Sequence, residues 1–267
     1  MGSQLQTQLP PRYSFDDLQG RVVLITGASS GIGAAAALAF GGCGADVAVH
    51  YRSRQVEANA LVAQIREAGG NGEAFQAEVS NTASLNRLIA DTVARFGRID
   101  VLVNNAGGFI RRVALAEADD AFIDQVFHQT ARSMLALARS VIPLMRSHGG
   151  GSIINVTSQA ARSGGSPGAG LYASTKGFVS TYTRALAKEL VADRIRVNAV
   201  SPGVIDTPIH DGHTSPALLE DLRAGIPMRR LGRADECCGA FLFLASEHLS
   251  SYITGQIIEV NGGSVMP

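Results

Sequence analysis

Tyr172 and Lys176 stand four residues apart in Leu171-Tyr172-Ala173-Ser174-Thr175-Lys176. On a helix that spacing puts both side chains on one face, about one turn apart. A free tyrosine, with a pKa of about 10, is a poor proton donor or acceptor near neutrality. An ammonium beside it favours the phenolate and lowers that pKa. Ser158 ends the run Ile153-Ile154-Asn155-Val156-Thr157-Ser158, which reads as a buried strand. Its hydroxyl is placed to hold a substrate oxygen against the phenol. Together the three make a proton-transfer device for a carbonyl or an alcohol. Tyr-x-x-x-Lys alone arises by chance in many helices as a solvated pair, so its meaning rests on its surroundings.

A second motif lies near the amino terminus. Gly27, Gly31 and Gly33 sit between an apolar strand, Arg21 to Thr26, and a helix, Ala34 to Cys43. One glycine allows a tight turn, one lets backbone approach a pyrophosphate, and one lets helix pack on strand. The helix start offers free N–H groups and a positive dipole end to phosphate. The bland alternative is a set of turn glycines.

The elements around these motifs alternate. Strands are expected at Asp46 to Tyr51, Glu73 to Val79, Ile99 to Val103, Ile195 to Val200 and Gln256 to Val260. Helices are expected at Gln55 to Ala68, Thr82 to Phe96 (capped by Asn81), Leu171 to Val191 and Ala234 to Ser246. A long helix spans Asp119 to Ser147, with Pro143 bending or restarting its last part. The alternation implies an α/β fold: a doubly wound, Rossmann-like parallel sheet of about seven strands, with helices on both faces. No linker or repeat divides it. Residues 1–19 read as an amino-terminal arm and residues 20–267 as one domain. Residues 204–230 form a mobile segment over the substrate side, with a short helix at Pro216 to Ala224. In such sheets ligands bind at the carboxyl ends of the strands, where both motifs fall.

Composition narrows the partners. Of 267 residues, 46% are hydrophobic and 17% charged, with zero formal net charge. That fits a compact globule and excludes a nucleic-acid surface or polybasic membrane anchor. Cys43, Cys237 and Cys238 show no metal-ligand spacing and read as reduced thiols of a cytoplasmic protein. Met1 to Leu9 lacks the pattern of a secretory signal, and Gln6 stands where a myristoylation signal needs Ser or Thr. Val22 to Ala45 carries no charge, yet its β-branched half and alanine-rich half read as strand–turn–helix, not as a membrane span.

With these motifs in order, the chain resembles the short-chain dehydrogenase/reductase family, in its single-domain branch and nearest its 3-oxoacyl-carrier-protein-reductase-like group. The resemblance covers nearly everything from Gly20 on. Thr26-Gly27-Ala28-Ser29-Ser30-Gly31-Ile32-Gly33 resembles the cofactor loop. Asn104-Asn105-Ala106-Gly107 resembles the motif after the fourth strand. Ser158, Tyr172 and Lys176 match the catalytic serine, tyrosine and lysine. Asn198-Ala199-Val200-Ser201-Pro202-Gly203, with Ile205 and Thr207, resembles the nicotinamide-side loop. Tyr252-Ile253-Thr254-Gly255-Gln256 and Gly262-Gly263 resemble the carboxyl-terminal signature. The resemblance implies an oxidoreductase that transfers a hydride between a nicotinamide cofactor and a carbonyl or alcohol substrate: a 3-oxoacyl thioester, a sugar or polyol, a steroid or a small ketone. It implies that Tyr172 exchanges the proton, that Lys176 lowers its pKa and holds the nicotinamide ribose, and that Ser158 orients the substrate. It also implies a homotetramer or homodimer built on the Asp119–Ser147 and Leu171–Val191 helices, with Ala136, Leu137, Ala185 and Leu186 at the contact. The rival reading is a non-catalytic nucleotide-binding sensor or scaffold on the same fold.

Four positions depart from the family pattern or refine it. Glu78-Val79 stands where Asp-Val usually contacts adenine. Thr130 takes the position of the tetrad asparagine; its hydroxyl can back-bond to a carbonyl one turn earlier. The loop between Ser158 and Tyr172 is about one residue longer than expected, and Gly164 to Gly168 within it is expected to line the substrate side. At the end of the second strand, Tyr51-Arg52-Ser53-Arg54 replaces the acid that binds ribose hydroxyls in NAD users. A guanidinium suits a 2′-phosphate, so NADP(H) is the expected cofactor, with NAD(H) the alternative. Arg111 and Arg112 read either as an exposed pair or as contacts for an anionic substrate or carrier. His210, Asp211 and His213 lack a third ligand and rigid spacing for a metal, so none is assigned.

Overall fold

The computed structural model describes residues 14–266. Seven parallel strands form one sheet in the order β3-β2-β1-β4-β5-β6-β7. They are β1 (Val22–Ile25), β2 (Asp46–Tyr51), β3 (Asn71–Gln76), β4 (Val101–Asn104), β5 (Gly151–Val156), β6 (Ile195–Pro202) and β7 (Ile257–Val260). The helices are α1 (Gly31–Gly42), α2 (Gln55–Glu67), α3 (Thr82–Phe96), α4 (Asp120–Phe127), α5 (Ser133–Ser147), α6 (Ala160–Ser163), α7 (Gly170–Leu190), α8 (Pro216–Gly225), α9 (Cys238–Ala245) and α10 (Glu247–Ser250).

Strand periodicity divides the core into two layers. Val23, Ile25, Val101, Val103 and Ile154 face one way and pack with Phe40 of α1, Ile65 of α2 and Phe241 of α9. Leu24, Leu102, Ile153 and Val197 face the other way and pack with Leu88 of α3, Leu137 of α5 and Leu186 of α7. Both faces are therefore covered, as the continuous apolar strands require. The strand order reverses between β1 and β4, which opens a crevice at their carboxyl ends.

Local signals set the ends. Asn81 Oδ1 accepts from Ser84 N at 3.0 Å to start α3, and Gly97, at φ 83°, ends it as a left-handed cap should. Val22 to Ala45 is strand, turn and helix. Among the described residues no helix is long and apolar enough to cross a membrane. Asp17 accepts from Ser246 Oγ and from Glu247 N and His248 N, capping α10, and Leu18 is buried. This last part of the expected arm is thus packed on the domain; residues 1–13 lie outside the described ones.

Two expected elements shift. The third strand begins and ends earlier than Glu73 to Val79. It pairs residue for residue with β2, from Asp46 with Asn71 to Tyr51 with Gln76, and beyond Tyr51 there is no strand left to pair. The long helix does not break at Pro143, which lies inside α5. Its hydrogen bonding changes instead at His128–Arg132, a π turn joining α4 to α5. Ser133 Oγ donates there to Gln129 O (2.8 Å) and Thr130 O (3.1 Å), which gives carbonyls of the widened turn a donor. Such turns concentrate at functional sites.

Candidate active site

β5 and α7 position Ser158, Tyr172 and Lys176. Thr157 Oγ1 donates to Lys176 O at 2.9 Å, tying the strand end to the first turns of α7. Ser158 Oγ accepts from Ala160 N, which starts α6. Lys176 is 3% exposed; its Nζ donates to Val156 O at 2.8 Å and lies 5.7 Å from the centre of the Tyr172 ring. Burial lowers the Lys176 pKa to about 8. Burial also pushes the Tyr172 phenol above its ordinary value, and a hydrogen bond to Ser158 pulls the other way. The expected lowering by Lys176 is therefore not the dominant effect in the free chain: the ammonium is turned to a carbonyl, and loss of water around the phenol outweighs it. Part of that cover is Phe109, whose ring stacks on Tyr172 at 4.3 Å with 26° between planes.

The glycine loop is held by side chains from other strands. Gly27, at φ 64°, donates its N–H to His50 Nδ1 at 2.9 Å. The other His50 nitrogen meets Ala77 O at 3.1 Å. With Nε2 as donor and Nδ1 as acceptor, one neutral tautomer satisfies both bonds, and burial lowers the His50 pKa. Asn105 Nδ2 donates to Thr26 O and Gly27 O, while Asn105 N and Ala106 N donate to Thr26 Oγ1. A Cβ on Gly33 would come within 2.5 Å of Asn105 Nδ2 and Gly27 O, and one on Gly31 within 3.3 Å of the Thr207 side chain. Ser30, the residue before α1, makes no side-chain cap, and the first turn holds no acid. The open N–H groups there fit a pyrophosphate. Ile32 instead packs on the core, and Ser29 and Ser30 are half-buried on the loop.

The remaining residues spread around the rim of the crevice. Tyr51 is buried, whereas Arg52, Ser53 and Arg54 are exposed, and Arg52 makes no ion pair within the described residues. Glu78 and the buried Val79 lie beyond β3, and Glu78 Oε1 accepts from Ser80 N and Oγ. Pro202 ends β6 and Gly203 N donates to Val260 O. Ile205 is buried and bridges to Gly232. Gly107, at φ 134°, runs close over Thr130 Oγ1.

Thr130 is buried, and its hydroxyl makes no back-bond: Oγ1 has no partner. Thr130 lies inside the π turn, whose hydrogen bonding departs from the α-helical pattern that such a bond presumes. Arg111 lies over the Phe122 ring, and all three Arg112 nitrogens meet protein acceptors. His210 bonds to Ile205 O and Thr214 Oγ1. Among the described residues no group of three His, Cys, Asp or Glu is placed to hold a metal. Sequence reasoning missed His50 and Phe109. The signal for His50 was a lone titratable residue in the apolar strand Asp46-Val47-Ala48-Val49-His50-Tyr51; nothing in the sequence marks Phe109.

Parallel sheet, glycine turn and buried lysine beside a tyrosine define a nicotinamide-dinucleotide oxidoreductase of the Rossmann type. Residues 27–265 match the sequence model of the family described as enoyl-(acyl carrier protein) reductase, and the chain belongs to this family of short-chain dehydrogenases/reductases. It is 39% identical over 249 residues to the 3-oxoacyl-[acyl-carrier-protein] reductase of Synechocystis sp., covering 93% of this chain and 98% of that one. The NADH-dependent reductase A1-R' complexed with NAD is 39% identical, with a TM-score of 0.85, over 95% of this chain and 100% of that one. A 7α-hydroxysteroid dehydrogenase complexed with NADH and 7-oxo glycochenodeoxycholic acid is 32% identical, with a TM-score of 0.88, over 96% and 99%. The chain is accordingly an oxidoreductase that moves a hydride between a nicotinamide cofactor and a carbonyl or secondary alcohol.

Proposed function

We propose that this enzyme works as a carbonyl reductase in which Tyr172 is the proton donor, Ser158 holds the substrate oxygen, and Lys176 supplies the charge beside the phenol. The observation that carries it is the buried Lys176 ammonium, bonded to Val156 O at 2.8 Å and 5.7 Å from the centre of the Tyr172 ring, at the end of the strand that leads into Ser158. A phenol that keeps its proton at neutrality can pass it to a substrate oxygen, and a cation beside it favours the phenolate left behind. The bound nicotinamide supplies the hydride to the carbonyl carbon. Tyr172 adds its proton to the oxygen, and the new phenolate forms beside Lys176, which burial leaves mostly charged at neutrality. Gly27, Gly31 and Gly33, with Ser29, Ser30 and Ile32 on the same loop, would hold the pyrophosphate at the start of α1. Asn105, Ala106 and Gly107, with Pro202, Gly203, Ile205 and Thr207, would hold the nicotinamide half.

The cofactor reading is NADP(H). Arg52 and Arg54 are exposed where a ribose 2′-phosphate would come, and a guanidinium fork matches its geometry. The NADH dependence of A1-R' is the opposing consideration. Assembly is read as a homodimer or homotetramer, with a change in the residues that make the contact. Ala136, Leu137 and Leu186 pack inside the chain. The outward face of α7 carries Ser174, Thr181 and Ala185, beside the stacked pair Phe178 and Tyr182.

One experiment tests the function. The protein is assayed at the nicotinamide absorbance with 3-oxoacyl thioesters, sugar and uronate aldehydes, steroid ketones and small ketones, each with NADPH and NADH. Reduction of at least one class, faster with NADPH, is expected. Oxidation of neither cofactor by any class would overturn the reading, and equal efficiency with both would overturn the NADP(H) preference.

A further inference from the structure

Arg112 joins three segments that are distant in sequence. Its Nε donates to His213 O at 2.8 Å and its Nη2 to Thr214 Oγ1 at 3.4 Å, both in the segment after β6. Its Nη1 donates to Ser166 Oγ at 2.7 Å and lies 3.4 Å from Pro167 O, in the glycine-rich loop between α6 and α7. Its guanidinium lies 4.8 Å from the centre of the Phe109 ring, whose other neighbour is Tyr172. The backbone adds one bond, from Val113 N to Gly168 O.

The bonds run in one consistent direction. His210 Nε2 donates to Ile205 O, Thr214 donates its hydroxyl hydrogen to His210 Nδ1, and the Thr214 oxygen accepts from Arg112. This single assignment satisfies every donor and acceptor in the chain of bonds. It links Arg112 through Thr214 and His210 to Ile205, next to the end of β6. A planar guanidinium can face several acceptors at fixed angles and lie on a ring at once. A lysine ammonium offers neither the span nor the plane.

We infer that Arg112 is a positioning residue that clamps the segment after β6 to the loop before α7 and seats Phe109 on Tyr172, so that the substrate side of the site is held closed around the phenol. The inference rests on the reading in which Tyr172 is the acid. Arg112 touches no reacting atom in this scheme; it acts through the segments it holds. Its direct contacts are His213, Thr214, Ser166 and Pro167, none of them assigned to the cofactor, so its loss should loosen the substrate side far more than it weakens cofactor binding.

The test uses the full chain with Arg112→Ala and Arg112→Lys. Hydrogen exchange is followed at the amides of 207–215 and, as an internal reference, at those of β4 and β5. In both variants exchange at 207–215 should rise by about tenfold or more while the strands stay protected. With a carbonyl substrate found for the wild type, kcat should fall by about tenfold or more in both variants, with the cofactor Kd within about twofold. Lysine should not rescue alanine, since charge without the fork is not enough. Unchanged exchange at 207–215 would overturn the inference, as would kcat within about twofold of wild type. A rise in exchange across the whole domain would also overturn it, by showing a general stabilising role. Should the wild type reduce no carbonyl, the functional reading fails and the exchange measurement alone decides the role of Arg112.

Discussion

Thr130 Oγ1 and Asn104 Oδ1 line one cavity of about 10 Å³, and neither atom has a hydrogen-bond partner. Only two other buried side-chain polar atoms, Arg98 Nε and Gln159 Oε1, share that condition among the described residues, so the coincidence is informative. Buried polar atoms are rarely left unpaired. Lys176 lines the same cavity. Its volume suits one water, and such a water has a hydroxyl and an amide oxygen to bond. Asn104 is fixed for this by its Nδ2, which donates to Asn155 Oδ1 at 2.9 Å.

The first prediction follows from that pair. A water bonded to Thr130 and Asn104 would give Lys176 a polar neighbour although asparagine is absent from position 130. Thr130→Asn should therefore change turnover by less than about tenfold, under roughly 1.4 kcal/mol of barrier. Thr130→Val, of like shape but without the hydroxyl, should slow turnover and lower stability by about 1 kcal/mol. Activity that emerges only in Thr130→Asn would show that threonine has disabled the site.

Tyr172→Phe deletes the transferable proton and keeps the ring that stacks on Phe109. Turnover should fall by about a hundredfold or more, with cofactor affinity, read by nicotinamide fluorescence, nearly unchanged. A phenylalanine variant that retains most of its activity would remove Tyr172 from the mechanism.

Lys176→Met should abolish turnover and yet stabilise the free protein. Burial lowers the Lys176 pKa from 10.5 to about 8, so the folded state holds its ammonium at a disadvantage. The unfolded chain binds the proton more tightly, so the wild-type protein gains stability as pH rises from about 8 to 10.5. The disadvantage is thus fully present below pH about 8 and gone above 10.5. By linkage it amounts to roughly 3 kcal/mol; leaving Val156 O without its donor offsets about 1 kcal/mol. Denaturant unfolding at pH 7 should show Lys176→Met more stable by about 1–3 kcal/mol, with the gain shrinking toward pH 10.5. An equal or lower stability at pH 7 would contradict this.

His50→Phe tests the glycine loop. It removes the bonds to Gly27 N and Ala77 O inside the protein, which should destabilise by about 1–3 kcal/mol. Because Gly27 is then no longer pinned, cofactor Kd should rise several-fold while kcat at saturating cofactor changes little. Unaltered cofactor affinity would mean that the Asn105 bonds alone hold the loop.

Much of this was written in local pattern. The apolar strands, the glycines at the first turn and the four-residue spacing of Tyr172 and Lys176 determine the doubly wound sheet and the position of its crevice, because each depends on periodicity or on one residue's conformational freedom. What the sequence left open are relations between residues far apart in the chain. The stop of β3 at Gln76 was set by the length of β2, not by its own residues. The helix break fell at His128–Arg132 and not at Pro143, because Ser133 supplies the bonds a widened turn needs. The Tyr172 phenol is raised because burial, a sum over neighbours such as Phe109, exceeds the pull of Ser158. Arg112 became a clamp only when folding brought Ser166 and His213 to it. Side-chain identity and spacing determine which groups are present at the site. Their electrostatic balance and their partners depend on desolvation and on contacts across the chain, which only the packed tertiary structure decides.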